Sequence, residues 1–469
     1  MVVVTLIIAH VLLATIVSAH ALLSKRDARA TIAWLGVAWL SPMIGSIGYS
    51  LFGVNRIARR ALRLRSSNPS VYAGHESDFE TGTMNDQPAS RIRKVGDAVS
   101  RQPILGGNQV QIYQNGDEAY PEMISAIKKA QKTIALCTYI FRLDENGMEF
   151  ISALRDAKSR GVEVKVLVDG FGGGIFRSAA TSKLNEFGID AHRFLPSLAP
   201  WRMPYLNLRN HKKLLIIDGK IGFVGGMNLG NENLLHRKSR YGVRDTHFCF
   251  TGPIVVQLLE SFTEDWYFTT NAKLTHSDWW PNLNNKGEVE GRAVISGPDH
   301  DLGSIEKLLT AAINGAKYHI RIVTPYFLPD ERIGFLLDMA VLRGVSVELV
   351  IPQYTDNLLF DWAMESQLSF MDTDRIECWR SMPPFDHSKL VTIDGEWCAI
   401  GSPNWDIRSM RLNFEILVEC YDPETVMKID RIIDEKIEQS IPHRDLETNW
   451  GNQFYRLRNA AARLLMPYL

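Results

Sequence analysis

Cysteine is scarce and scattered: Cys137, Cys249, Cys378, Cys398 and Cys420 are the five in 469 residues, an odd number with no C-x-x-C spacing. That excludes a disulfide framework or a zinc knuckle and implies reduced, buried thiols in a reducing compartment. An excess of charge is missing too. Lys and Arg total 52 against 53 Asp and Glu, a net charge of -1, so no global basic field gathers nucleic acid by counterion release. There is no H-E-x-x-H, no Walker-type loop and no G-x-G-x-x-G after a strand, and Gly172-Gly173-Gly174 lacks the Lys-Ser/Thr that a phosphate cradle needs. With 45% hydrophobic and 22% charged residues the chain folds, and its length exceeds what one hydrophobic core supports.

Charge is absent from two stretches near the N-terminus, Val2 to Leu23 and Ala30 to Gly53. At about 1.5 Å per residue, either run as a helix reaches across a hydrocarbon core of about 30 Å. A cleaved signal peptide is the competing reading of the first run; it is disfavoured because no basic segment precedes it and a second apolar run follows at once. Lys25, Arg26, Asp27 and Arg29 lie between the runs, and Arg56, Arg59, Arg60, Arg63 and Arg65 follow the second. The heavier positive flank belongs in the cytoplasm, together with the bulk of the chain. Ser41-Pro42, Gly45 and Gly48 interrupt the second run, leaving a bent or re-entrant segment open. Residues 1–65 are thus expected to form a transmembrane hairpin with a basic flank. Residues 66–103, opening on Ser66-Ser67-Asn68-Pro69-Ser70 and lacking a regular period, read as a polar linker.

The remainder is written twice. Ala126-Ile127-x-x-Ala130 recurs as Ala312-Ile313-x-x-Ala316, Thr138-Tyr139-Ile140-Phe141 as Thr324-Pro325-Tyr326-Phe327, and Arg160-Gly161-Val162 as Arg343-Gly344-Val345. Helical and strand periods alternate in each copy, with Val-rich runs at Val162–Val168 and Val345–Ile351, which implies two homologous α/β domains with partly parallel sheets. A connector fits around Ser277–Glu288, placing the domains at 104–285 and 286–469.

Each copy carries one further signature. The first reads His211-x-Lys213-x4-Asp218 and then Gly225-Gly226-Met227-Asn228; the second reads His387-x-Lys389-x4-Asp394 and then Gly401-Ser402-Pro403-Asn404, 176 residues on throughout. On an extended segment a His and a Lys two apart leave the same face. Leu214-Leu215-Ile216-Ile217 continues as a buried strand, Asp218-Gly219 turns it, and Ile221–Val224 returns as its hairpin partner. A neutral imidazole beside an ammonium suits attack on a negatively charged phosphorus: Lys213 and Lys389 hold the nonbridging oxygens while His211 and His387 supply nucleophile and proton. Asn228 and Asn404 are candidate donors to the same oxygens. Asp218 and Asp394 complete the catalytic signature, but strand parity points them away from the histidines, toward a hairpin-fixing role. Asp245 and Glu415, each on a strand-like stretch after its own motif, are candidates to orient the imidazoles through Nδ1. Displacement at phosphorus is in line, so one histidine cannot both attack and protonate the leaving alcohol. Two copies about a pseudo-twofold axis bring His211 and His387 to one phosphate.

At these residues the chain resembles the phospholipase D superfamily, specifically the bacterial cardiolipin synthases. The resemblance extends from Ser41-Pro42-Met43-Ile44-Gly45 through Leu208-Arg209-Asn210-His211-Lys212-Lys213 and nearly spans the chain. It implies two phospholipase D-like α/β domains behind two transmembrane helices, at the bacterial cytoplasmic membrane with the catalytic domains inside. It further implies transfer of a phosphatidyl group between two phosphatidylglycerol molecules, giving cardiolipin and glycerol through a phosphohistidine. No metal, nucleotide or other cofactor takes part; the partners are anionic phospholipids and the bilayer rather than nucleic acid, and a homo-oligomer is left open. His211 takes the nucleophile's role by resemblance and His387 that of general acid and base; symmetry alone does not choose between them. One departure is Asp372-Thr373-Asp374-Arg375-Ile376-Glu377, where a Gly-Val type of segment is expected. The same site handing its phosphoenzyme to water would make a phospholipase or nuclease, and a scaffold with a decayed site is disfavoured because both His/Lys pairs are intact. His236-Arg237-Lys238-Ser239-Arg240 reads as a solvated loop or a headgroup contact, Trp201, Met203 and Tyr205 as an acyl-chain lip or core, and Trp279-Trp280 as linker packing or an interfacial pair.

Overall fold

The structure is a computed structural model that describes residues 2–24, 28–41, 43–53, 88–174, 178–196, 208–237, 242–297, 301–446, 452–464 and 466. The arginine flank at 56–65, linker residues 66–87, the candidate lip Trp201, Met203 and Tyr205, and Lys238, Ser239 and Arg240 lie outside the described residues. Two units divide the chain, the smaller at its N-terminus.

The N-terminal unit opens with the helix Val2–Ser24, 23 residues long and without a charge. Among the described residues it is the one helix long and apolar enough to cross a membrane. Ala14, Val17 and Ala21 recur at helical spacing and cluster with Ala38 and Tyr49; small residues here let backbones approach closely. The second apolar run is not one continuous helix, the interrupted form that its sequence leaves open. It is helical over Ala28–Leu40, breaks before Met43, which adopts φ 61°, and resumes as Ile44–Gly48 and a π-helical turn at Tyr49–Gly53. Thirteen helical residues rise about 20 Å, short of the hydrocarbon thickness, and a proline at the break cannot donate to the preceding turn.

The larger unit is built on one sheet of fifteen strands. In the first half these are β1 (Leu105–Gln114), β2 (Thr133–Thr138), β3 (Glu163–Asp169), β4 (Asp190–Phe194), β5 (Leu214–Ile217), β6 (Ile221–Gly225) and β7 (Thr246–Thr251). The second half supplies β8 (Val289–Ser296), β9 (His319–Val323), β10 (Ser346–Pro352), β11 (Glu377–Ser381), β12 (Leu390–Ile393), β13 (Trp397–Gly401), β14 (Glu415–Cys420) and β15 (Ser440–Pro442). Across the sheet the order is β15-β11-β10-β9-β12-β13-β14-β8-β1-β7-β6-β5-β2-β3-β4. Outward from the central antiparallel pair β1 and β8, both halves follow the same sequence of strands, and β15 extends the second. The halves that the sequence divides near residue 285 therefore share one sheet.

The repeated motifs do the same work in each half. Arg160 donates to the carbonyls of Ile127 and Ala130, and Arg343 to that of Ile313, so each satisfies carbonyls at a helix end. Thr138 and Thr324 each donate a hydroxyl to a carbonyl two residues on. One sheet face carries a separate apolar core in each half. On the other, a single core runs across both halves under the helices Val255–Thr270 and Pro423–Glu438.

Linker residues 88–99 depart from the sequence expectation: they form the helix Pro88–Val99. Ile92 enters the second half's core, Arg93 pairs with Glu290, and Asp97 pairs with the buried Arg292. One apolar anchor with flanking ion pairs gives little periodic signal, which is why the segment reads as a tether. Trp279 and Trp280 pack within the unit, donating to Glu163 and to the carbonyl of Leu274. All five cysteines are free and buried.

Candidate active site

Both histidine motifs run straight into buried strands. β5 and β6 form an antiparallel hairpin in which Asp218 and Gly219 take positive φ (51° and 64°), and β12 and β13 repeat it at Asp394 and Gly395 (53° and 70°). This is the twist a tight hairpin favours. The Asp218 carboxylate accepts from the backbone amides of Gln131, Lys132 and Thr133, and Asp394 from those of Lys317, Tyr318 and His319. Both carboxylates thus tie the hairpin turn to the start of the neighbouring strand.

Each motif is clamped to the opposite half. Asn210 bridges to Phe414, with the His211 amide donating to the Phe414 carbonyl at 2.9 Å and the Phe414 amide to Arg209 at 2.8 Å. Phe385 and Asp386 pair in parallel with Val243 and Arg244, and the His387 amide donates to the Arg244 carbonyl at 2.7 Å. The next residue on each partner segment is a carboxylate. Glu415 lies 3.1 Å from His211 Nδ1, and Asp245 Oδ2 lies 2.8 Å from His387 Nδ1. The candidate orienting residues thus hold imidazoles across the halves, not within their own motif.

The two pairs are alike but not identical. His211 Nδ1 is also 3.1 Å from the Ser402 carbonyl, and the Ser402 hydroxyl donates to Glu415 at 2.5 Å. Asn413 donates to the other Glu415 oxygen. Gly226 occupies the position equivalent to Ser402, and a Cβ there would meet Asp245 Oδ1 at 2.6 Å. The Thr246 amide donates to Asp245 at 2.7 Å instead.

Lys213 donates to the carbonyl of His211 at 2.7 Å and Lys389 to that of His387 at 2.5 Å. Burial pushes the Lys213 ammonium down to about 7 and that of Lys389 to about 8, against the pull of the nearby carboxylates. Burial pushes His211 down to about 4, and Lys213 and Lys389 add to it, while Glu415 opposes. His387 is lowered for the same reasons, with burial first, and it too feels both lysines. Glu415 is held at about 2: His211 and Lys213 outweigh its burial. The His211 imidazole is therefore neutral at pH 7, as a nucleophile requires. Each feeling the other half's lysine places all four groups in one electrostatic cluster.

Tyr139 stands edge-on to His211 with centroids 5.2 Å apart, and Tyr326 edge-on to His387 at 6.3 Å. Asn228 Oδ1 accepts from the Ile140 amide, and Asn404 Oδ1 is buried with no partner among the described residues.

Buried ion pairs fix the motifs from behind. Lys212 reaches Asp265 at 2.8 Å and Asn210 donates to the same carboxylate; in the second half Lys436 reaches Asp386 at 2.6 Å. The pairing has the same logic with the charges exchanged, and nothing local in the sequence announces it. His236 and Arg237 pair with Asp117 and Glu145, which accounts for them as structural contacts. Asp372 to Ile376 form a turn leading into β11, with Asp372 paired to Arg375.

The sequence family described as "Cardiolipin synthase, PLD-like domain" matches residues 123–266 and 309–437, one stretch in each half. "Cardiolipin synthase 1" of Bacillus anthracis is 30% identical over 461 residues, covering 95% of this chain and 89% of that protein. "Cardiolipin synthase A" of Pseudomonas putida is 30% identical over 467 residues, covering 98% and 96%. Among solved structures, the phosphatidylserine synthase of Haemophilus influenzae superposes with a TM-score of 0.61 at 14% identity, covering 81% of this chain and 100% of that one, a likeness of fold. The chain belongs to the cardiolipin synthase family of PLD-like proteins.

Proposed function

We propose that this chain is a phosphatidyltransferase that joins two phosphatidylglycerol molecules into cardiolipin and releases glycerol. The observation that carries the reading is the reciprocal pairing of His211 with Glu415 and His387 with Asp245. With Nδ1 of each ring engaged by a carboxylate, Nε2 is the basic nitrogen turned to chemistry.

His211 Nε2 attacks the phosphorus of the first phosphatidylglycerol, forming an N–P bond as the P–O bond to the glycerol headgroup breaks. His387, entering this step as the imidazolium paired with Asp245, gives that oxygen its Nε2 proton, and glycerol departs. The neutralised His387 then takes a proton from the headgroup hydroxyl of a second phosphatidylglycerol, whose oxygen attacks phosphorus and expels His211. Lys213 and Lys389 bind the nonbridging oxygens throughout, and Asn228 and Asn404 add amide donors. The strand order supports a pseudo-twofold relation between the halves, which is what brings equivalent histidines to opposite sides of one phosphorus.

Phospholipid substrates and the helix Val2–Ser24 support work at a membrane surface. In this reading the bent second run, Ala28 to Gly53, turns within the bilayer and completes a hairpin, and the two halves lie on the cytoplasmic side.

Purified protein given phosphatidylglycerol is expected to release glycerol and form a four-chain lipid without added nucleotide or divalent metal. Phosphatidic acid as sole product would establish a hydrolase, and dependence on a cytidine nucleotide would overturn the mechanism.

A further inference from the structure

The helix Gln453–Arg463 turns an apolar face outward. Its inner side packs on the helix Leu358–Leu368, with the Arg458 guanidinium 4.3 Å from the Trp362 ring centroid and that of Arg463 4.3 Å from Phe370. On its outer side Phe454, Leu457, Ala461 and Leu464 recur at spacings of 3, 4 and 3 and form one stripe. Phe454 and Leu457 are each 71% exposed and Leu464 76%. A helix on a water-facing surface carries its polar residues there. From Thr448 to Leu469 the chain holds Arg456, Arg458 and Arg463 and no acid.

The helix is one layer from the reacting groups. Phe360 of the helix beneath it lies 4.5 Å from Tyr326, centroid to centroid, and Tyr326 flanks His387. Leu358, at the start of that same helix, is also exposed.

The geometry points to a membrane-docking element: Gln453–Arg463 lies in the interface of an anionic leaflet, with Phe454, Leu457 and Leu464 among the acyl chains and Arg456 among the headgroups. Charge chooses the occupant, because every charged residue of this helix is a cation, which with the apolar stripe matches a surface of negative phosphates. The N-terminal helix strengthens that choice, since a chain already tethered to a bilayer needs little intrinsic affinity to seat a second element. The inference rests on the membrane reading above and not on the reaction assigned to His211 and His387. Docked in this way, the helix holds the second half's pocket wall near the headgroups its substrate carries.

Full-length protein in nanodiscs tests this, with a nitroxide attached at Leu457→Cys, at Leu464→Cys, or at Tyr318→Cys, an exposed residue at the opposite end of the strands from the histidines. The native thiols are buried, so the label goes to the introduced one. In nanodiscs containing phosphatidylglycerol, both helix labels are expected to show a several-fold loss of collision with a water-soluble nickel chelate and a gain with oxygen, relative to Tyr318→Cys. In phosphatidylcholine nanodiscs the difference shrinks. Nickel access equal to that of Tyr318→Cys in the anionic discs would overturn the proposal. Protection accompanied by dipolar broadening between labels would overturn it as well, by assigning the stripe to a second copy of the chain. Because the readout is depth rather than turnover, it stands whether or not the protein makes cardiolipin. As a functional counterpart, Phe454→Ser/Leu457→Ser/Leu464→Ser is expected to float with vesicles through Val2–Ser24 yet lose more turnover on vesicles than in detergent micelles.

Discussion

Glu415, from the second half of the chain, lies 3.1 Å from Nδ1 of His211, from the first. Asp245 returns the arrangement to His387 at 2.8 Å. Neither half therefore holds a motif histidine together with the carboxylate on its Nδ1; each pair draws on both halves. The backbone clamps at Phe414 and Arg244 show why: each motif enters the site paired to the segment that delivers the other half's carboxylate.

Removing either carboxylate is expected to disable the histidine across the halves. Glu415→Gln and Asp245→Asn should each slow the single displacement that forms the phosphoenzyme and releases glycerol, by roughly 10²–10⁴-fold, the usual range for acid–base assistance. Rapid-quench measurement should find phosphoenzyme and glycerol appearing together, at the reduced rate in both variants. A cycle pairing Glu415→Gln with His211→Asn should be strongly non-additive, and additive losses would mean that the carboxylate acts elsewhere.

Asp218 and Asp394 are expected to matter to stability more than to chemistry. Each holds a set of backbone amides beside its turn, and a lost charged hydrogen bond costs about 1.5–3 kcal/mol. Asp218→Ala should lower the temperature of half-inactivation while the folded fraction keeps near-normal kcat. A large fall in kcat at unchanged thermal stability would place the carboxylate in the reaction.

The lysines set the alkaline limit. Burial lowers Lys213 to about 7 and Lys389 to about 8, so their charge disappears as pH rises through that window, while His211, at about 4, stays neutral well below it. For the free enzyme kcat/KM should fall between pH 7 and 8 and show no limb from His211 near 6.5. A profile flat to pH 9 would contradict this assignment.

The buried Lys212 and Asp265 pair anchors the segment that carries His211 into β5. Lys212→Met strands a carboxylate in the interior and is expected to destabilise by about 3–5 kcal/mol, whereas Lys212→Met/Asp265→Leu recovers much of that loss. Thermal inactivation of both variants decides it.

Much of this was legible before any coordinates because the decisive signals are local and occur twice. His211-x-Lys213 and its copy lead directly into four-residue buried strands, Asp-Gly closes each hairpin, and the Arg160 and Arg343 motifs recur because each satisfies a helix end. The exchange of carboxylates was not legible, since Glu415 and Asp245 follow their own motifs in sequence and only the sheet brings them across. Pro88–Val99 was hidden because ion pairs to Glu290 and Arg292 supply much of its docking. The interruption of the second run was visible in Ser41-Pro42, Gly45 and Gly48, which left a bent segment open, but where the helix stops and resumes was not.

The most direct test of the paired site is to trap the intermediate. Acid-free denaturation of His387→Asn after exposure to phosphatidylglycerol, followed by peptide mass spectrometry, should find the phosphatidyl group on His211 and should find none in His211→Asn. An adduct on any other residue, or cardiolipin formed at near-normal rate by His211→Asn, would contradict two histidines sharing one phosphorus.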